Sequence, residues 1–150
     1  MIVAHPDDEV IFGGLELNDC LVLCLTGDSI RQQEFKNVIE TSQCDGIILD
    51  FADRHGGWTD AECTLIDNTI KDCYQHFNQI ITHNQNGEYG HPQHRQLSKI
   101  ISTRCKPKTF YLGERITINN KIDLLSLYKS QQHIISLPEI QEWIHHGRVT

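Results

Sequence analysis

Short apolar runs alternate with amphipathic stretches along the whole chain. Met1 to Ala4 reads as a truncated first strand. Cys20-Leu21-Val22-Leu23-Cys24-Leu25 is an uninterrupted apolar run, as expected of a strand covered on both faces. Ile47-Ile48-Leu49, Gln79-Ile80-Ile81-Thr82 and Thr109-Phe110-Tyr111-Leu112 read as further buried strands, each near turn or polar residues. Between them the spacing predicts helices. Ser29 caps one that runs to about Cys44, with Phe35, Val38 and Ile39 on one face. Thr59 stands three residues before Glu62, the spacing of a capping box, and the helix that follows buries Ile66, Ile70, Cys73 and Phe77. A third starts near Pro92 and buries Leu97, Ile100 and Ile101. A fourth, from about Lys121 to Ile134, carries Leu124, Leu125 and Tyr128, and Pro138 to His146 form a short final helix.

Strands alternating with helices imply an α/β fold in which a mostly parallel sheet is sandwiched by helices. With 150 residues, no internal repeat and no linker, one compact domain over 1–150 is expected. Ligands of such sheets bind at the carboxyl ends of strands, in the crevice where strand order reverses. Two polar clusters directly follow predicted strands. Ala4-His5-Pro6-Asp7-Asp8-Glu9 follows the first, and His83-Asn84-Gln85-Asn86-Gly87-Glu88-Tyr89-Gly90-His91-Pro92-Gln93-His94 follows the fourth. If those strands are neighbours, the clusters meet.

A catalytic zinc site takes three protein ligands from His, Asp or Glu and keeps one position open. His5, Asp8 and His94 supply that set, which also suits Fe2+ or another divalent first-row metal. Such an ion acidifies water toward a pKa of about 7. Asp7, next to a ligand but not needed as one, can take that water's proton. His91 can stabilise the oxyanion of a tetrahedral intermediate or protonate a leaving amine. Together these parts describe metal-assisted hydrolysis of an amide or ester. Adjacent carboxylates by themselves do no more than favour a helix start; the joint occurrence of both clusters argues for a site. Glu9 either bonds to a ligand side chain or favours the helix start. His55, His76, His133, His145 and His146 read as ordinary surface or structural residues.

Composition narrows the partners. Apolar residues at 39% and charged residues at 22% are those of a soluble globular protein. A net charge of -7 with scattered Lys and Arg argues against nucleic acid and for an uncharged or zwitterionic small molecule. No apolar run approaches the roughly 20 residues that span a bilayer. The N-terminus lacks a basic patch followed by an apolar segment, so a cytoplasmic protein is expected. Cys20, Cys24, Cys44, Cys63, Cys73 and Cys105 form no Cys-x-x-Cys pair and read as buried, reduced thiols. Cys20 and Cys24 would lie about 13 Å apart along a strand, too far to bridge.

The run Ala-His-Pro-Asp-Asp-Glu, with Gly-Glu-Tyr-Gly-His-Pro-x-His downstream, resembles the PIG-L/LmbE-type zinc-dependent deacetylases. Those enzymes remove acetyl groups from N-acetylglucosamine-containing molecules on a Rossmann-like three-layer fold. Thr26-Gly27, Arg31 with Glu34, and Tyr128-Lys129-Ser130-Gln131 are weaker matches, so the resemblance spans about residues 2 to 131. It implies Zn2+ held by His5, Asp8 and His94, with Asp7 as general base. It also implies His91 acting at the transition state, Tyr89 polarising the substrate carbonyl, and Arg31 contacting the substrate. Gln93 stands where the family usually has an aspartate that orients the histidine matched by His91. A neutral Gln there predicts a His91 less often protonated. The function implied is metal-dependent N-deacetylation, an amide hydrolysis outside peptide bonds, of a sugar, glycan or glycolipid precursor bearing an N-acetyl group. The alternatives are an amidase for another acylated amine and a catalytically weak sugar-binding domain. A nucleotide-binding module lacks support, because no Gly-x-Gly-x-x-Gly follows the first strand.

Overall fold

The structure is a computed structural model that describes residues 1–114 and 119–150. Strands β1 (Ile2–Val3), β2 (Leu21–Thr26) and β3 (Asp45–Phe51) form a parallel sheet in the order β1-β2-β3. Strand β4 (Ile81–Thr82) pairs in parallel with β5 (Lys108–Leu112), and β5 takes β6 (Gly147–Val149) antiparallel on its other edge. The two sheets meet along β1 and β4. There Thr82 Oγ1 donates to Ile2 O at 2.8 Å, and the Ala4 N–H donates to His83 Nε2 at 3.1 Å. Chain order therefore runs outward both ways from the β1/β4 boundary, and the two polar clusters emerge side by side at that reversal.

The helices are α1 (Asp8–Ile11), α2 (Ser29–Ser42), α3 (Asp60–Ile70), α4 (Cys73–His76), α5 (Pro92–Ser102), α6 (Asn119–Leu125), α7 (Gln132–Ile135) and α8 (Pro138–His146). Strand alternation divides the core between two helical layers. Val3, Val22 and Cys24 pack with Phe35 and Val38 of α2, Tyr128, and Trp143 of α8. Ile2, Ala4, Leu23 and Leu25 pack with Ile66 and Ile70 of α3 and Leu97 and Ile101 of α5. This is the Rossmann-like α/β sandwich expected from the pattern and the resemblance. Among the described residues no helix is long and apolar enough to cross a membrane.

Several local expectations need correction. β3 is the edge of its sheet, so its apolar run is only half covered and Ile47 is 49% exposed. Asp28, not Ser29, caps α2, its carboxylate accepting the Ile30 and Arg31 N–H groups at 3.0 Å each. The Thr59–Glu62 capping box is present, but α3 stops at Ile70. The chain then tightens into i→i+3 bonds at Lys71 and Asp72, which turns Phe77 out of the apolar stripe to 43% exposure. The single helix expected from Lys121 to Ile134 is split into α6, a 3-10 turn (Lys129–Gln131) and α7, because Tyr128 leaves the helical conformation. Of the six free thiols only Cys24 is buried, the others being partly exposed. Cys20 Sγ lies 3.8 Å from Cys44 Sγ, just before the adjacent strand β3.

Candidate active site

The turn after β1 is tied to itself. The His5 N–H donates to Asp8 Oδ2 at 2.8 Å, and the Asp7 carbonyl accepts the N–H groups of Val10 and Ile11, which starts α1. Closing this tightly drives Asp7 to φ 103°, a conformation that costs a non-glycine residue on the order of 1–3 kcal/mol. The loop after β4 turns on Gly87 at φ 69°, whose carbonyl accepts the N–H groups of Gly90 and His91. A Cβ at Gly87 would stand 2.6 Å from His91 O, so only glycine fits. Pro92 then begins α5, and His94 sits in its first turn, aimed back at the β1 turn.

Three side-chain atoms from the two turns converge. His5 Nδ1 is 3.2 Å from Asp8 Oδ2 and 3.1 Å from His94 Nε2, and His94 Nε2 is 3.3 Å from Asp8 Oδ2. Donor atoms placed 2.0–2.1 Å from a tetrahedral cation lie about 3.3–3.4 Å apart, so these atoms outline one face of such a shell. Each ring is held from behind. His5 Nε2–H donates to Gln93 Oε1 at 2.8 Å, and His94 Nδ1–H donates to Glu88 Oε2 at 2.9 Å. Those bonds place both protons away from the convergence point and leave lone pairs on His5 Nδ1 and His94 Nε2. Two overlapping groups, His5/His91/His94 and Asp8/His83/His94, also lie close enough to share an ion. A His/Asp/His group here can hold a divalent metal.

His83 and Glu88 were not singled out from sequence, yet both are central. His83 is fully buried, stacks on His94 at 3.8 Å between ring centroids, and bonds Glu88 Oε2 through Nδ1 at 2.9 Å. Desolvation lowers its pKa and Glu88 and Asp8 raise it, to about 9 on balance. A proton on Nε2, however, would face the Ala4 N–H, so the bonding geometry holds the neutral ring protonated on Nδ1. That same N–H occupies the nitrogen His83 would offer a cation. Desolvation of Glu88 is outweighed by His83 and His94, which hold its carboxyl at about 2.

The two adjacent aspartates are driven apart. Burial and the neighbouring Asp8 push Asp7 well above the carboxylate range, against the pull of Arg31. At Asp8 the cost of burial is overcome by His94, His5 and His83, which hold it well below that range. Paired carboxylates so separated suit different tasks, one holding charge and one exchanging a proton.

A cleft of about 280 Å3 opens over the convergence point, and Asp7, Tyr89, His91 and Arg31 all line it. The Tyr89 ring lies between those of Phe12 and His91, and among the described residues its hydroxyl makes no hydrogen bond. Arg31 is already engaged: it donates to Asp53 Oδ2 at 2.7 Å and to Pro6 O at 2.9 Å, and stands 3.8 Å from Asp7 Oδ1. Asp53, two residues past the end of β3, was missed from sequence; His55 and His133 are exposed, as expected of surface residues, and also border the cleft. Only Asp53's position at a strand's carboxyl end signals it beforehand.

Gln93 does not meet His91. Besides His5 Nε2, its oxygen accepts the Arg54 N–H at 3.2 Å, and its amide nitrogen donates to Ala52 O at 2.8 Å. The residue points across to the first turn, so the link drawn between Gln93 and His91 is corrected. His91 is held down to about 3 by desolvation and by His94 and His5, and its Nδ1 is buried without a hydrogen-bond partner among the described residues.

Fold and site together define a class: a Rossmann-like α/β protein with a candidate metal centre at its switch point. No protein-family profile matches the chain. It belongs to the same family as an uncharacterized protein of Acanthamoeba polyphaga mimivirus, to which it is 32% identical over 165 aligned positions, covering 90% of this chain and 72% of that protein. Solved structures that share the fold include the N,N'-diacetylchitobiose deacetylase of Pyrococcus horikoshii, with a TM-score of 0.66 over 99% of this chain and 82% of that one at 13% identity. A conserved protein of Thermus thermophilus gives 0.62 over 95% and 82% at 12% identity. GalB, the 4-carboxy-2-hydroxymuconate hydratase of Pseudomonas putida, gives 0.59 over 95% and 81% at 14% identity.

Proposed function

We propose that this protein is a metal-dependent N-deacetylase acting on a sugar, glycan or glycolipid precursor that carries N-acetylglucosamine. The observation that carries the reading is the convergence of His5 Nδ1, Asp8 Oδ2 and His94 Nε2 within 3.3 Å of one another, with Asp7 beside them in the same cleft. A deacetylase among the proteins of like fold supports the reaction class, and the two motifs that resemble PIG-L/LmbE enzymes support the substrate class.

His5, Asp8 and His94 would hold Zn2+ or another divalent first-row ion. When bound, that ion supplies Lewis acidity to the acetyl carbonyl and to water. Asp7 accepts the water's proton as attack proceeds, its carboxylate kept in place by Arg31 at 3.8 Å. The Tyr89 hydroxyl, without a hydrogen bond among the described residues, donates to the oxyanion as it develops, and His91, whose ring lies 5.9 Å away in the same cleft, supports it. The proton returns to the departing amine from Asp7 or His91.

The test is acetate and free-amine release from N-acetylglucosamine derivatives by zinc-loaded protein. Asp7→Ala should abolish turnover and keep the metal, whereas His94→Ala should lose the metal. Turnover confined to other acylated amines would favour the broader amidase reading. Metal binding with no hydrolysis of any amide would refute the deacetylase reading and leave a sugar-binding domain.

A further inference from the structure

Tyr128-Lys129-Ser130-Gln131 lies far along the chain from both histidine clusters and takes no part in the chemistry above, yet two of its side chains reach buried carboxylates. Tyr128, wholly buried, donates its hydroxyl to Glu9 Oε1 across 119 positions of sequence. The other oxygen of Glu9, also wholly buried, accepts the Asp7 N–H at 3.1 Å. Glu9 therefore neither ligates nor merely starts a helix; it relays Tyr128 to the backbone of the residue with φ 103°. Ser130 reaches a second carboxylate, its N–H donating to Glu34 Oε1 at 2.8 Å and its hydroxyl to Glu34 Oε2 at 2.6 Å. Glu34 lies one turn beyond Arg31 on α2, and Arg31 reaches Pro6 O and the Asp7 carboxylate.

We infer that Tyr128 and Ser130 form a two-armed clasp that positions Asp7: Tyr128 holds its backbone through Glu9, and Ser130, bound to Glu34, pins the turn of α2 that presents Arg31 to the Asp7 carboxylate. The inference rests on the reading of Asp7 as the general base, though the geometry of the clasp can be tested apart from it. Neither arm touches substrate or metal, so both are positioning residues. The strained turn explains the need. An aspartate at this φ relaxes readily unless its N–H has a fixed acceptor, and Glu9 stays fixed only while Tyr128 anchors it.

The experiment uses the full chain with Tyr128→Phe, which keeps the ring and removes the hydroxyl, and Ser130→Ala. Two readouts are taken: amide hydrogen exchange at Asp7, referenced to Leu23 and Leu25 in β2, and steady-state kinetics. Tyr128→Phe should speed Asp7 exchange about tenfold while the β2 amides keep their rates. It should lower kcat between about tenfold and a hundredfold with KM and zinc affinity within about twofold. Ser130→Ala should lower kcat without changing Asp7 exchange, because its arm ends on α2 and does not reach the Asp7 N–H. Glu9→Gln, with Tyr128 intact, should keep the parent's protection at Asp7, since its amide oxygen can accept that N–H while its nitrogen donates to the Tyr128 hydroxyl. Asp7 exchange unchanged by Tyr128→Phe, or accelerated only in step with β2, would overturn the inference. If the parent protein hydrolyses no amide, the deacetylase reading fails while the exchange data still decide the clasp.

Discussion

Glu88 carries the sharpest consequence of the site geometry. Its Oε2 accepts N–H groups from His83 and His94 at 2.9 Å each, and its Oε1 accepts the Asn84 N–H at 2.8 Å. Glu88→Gln conserves shape but offers one acceptor oxygen and one donor nitrogen to three donors. If the amide oxygen serves the imidazoles, the amide nitrogen opposes the Asn84 N–H and leaves a buried donor unpaired, at about 1–3 kcal/mol. If it faces Asn84, the nitrogen opposes both rings, and His94 moves its proton to Nε2, the atom that would meet the metal. Either arrangement also removes the negative charge behind the ligand ring. Loss of such a partner costs about tenfold to a hundredfold in metal affinity, or about 1.4–2.8 kcal/mol. Competition for Zn2+ against a chromophoric chelator measures it, with urea unfolding of metal-free protein as the control for folding. An affinity within about twofold of the parent, in a variant that folds, would refute the orienting role of Glu88.

Three further outcomes follow from named contacts. Gln93→Ala removes the acceptor for His5 Nε2–H and the bonds to Arg54 and Ala52, and should weaken zinc binding about tenfold while leaving the His91 titration unmoved in NMR; a shift of His91 would reinstate a direct link. Phe12, 1% exposed, packs edge-on against His83, His94 and Trp143, so Phe12→Ala should cost about 3–5 kcal/mol in urea unfolding, and a loss under about 1 kcal/mol would show that it is not part of the packed floor of the site. Lys121, 3% exposed with Nζ on Trp143 O, is lowered by desolvation from 10.5 to about 7. Between those values the unfolded chain holds a proton that the folded chain lacks, so stability rises with pH across the window and the penalty is full below about 7. At ~1.4 kcal/mol for each pH unit the window spans, Lys121→Met should be more stable than the parent by a few kcal/mol at pH 7, with the gap closing toward pH 10; a gap independent of pH would contradict this.

Much of the fold was legible because its signals are local. The apolar run of β2, the Thr59–Glu62 box and Pro92 at the start of α5 each act within a few residues. What escaped depends on partners distant in the chain. Nothing in Ile47-Ile48-Leu49 says that its strand would be an edge, since that depends on which strands pair. The break at Tyr128 follows from a buried carboxylate at Glu9, over a hundred positions earlier. Within the site, His5, Asp8 and His94 stood out because their residue types and placement after strands suffice to suggest ligands. Their supports did not. Proximity in the chain aims Gln93 at His91, whereas three-dimensional placement aims it at His5, and His83 and Glu88 gained their roles only when β4 came to lie beside β1.

In the proposed metal centre the turns after β1 and β4 share one cation through two imidazole nitrogens and one carboxylate oxygen. X-ray absorption spectroscopy of the zinc-loaded protein, with His94→Ala alongside, tests it most directly. One zinc per chain is expected, with a nitrogen and oxygen shell at about 2.0–2.1 Å, no sulfur, and loss of the ion in the variant. A shell containing sulfur at about 2.3 Å, or zinc retained unchanged without His94, would contradict it.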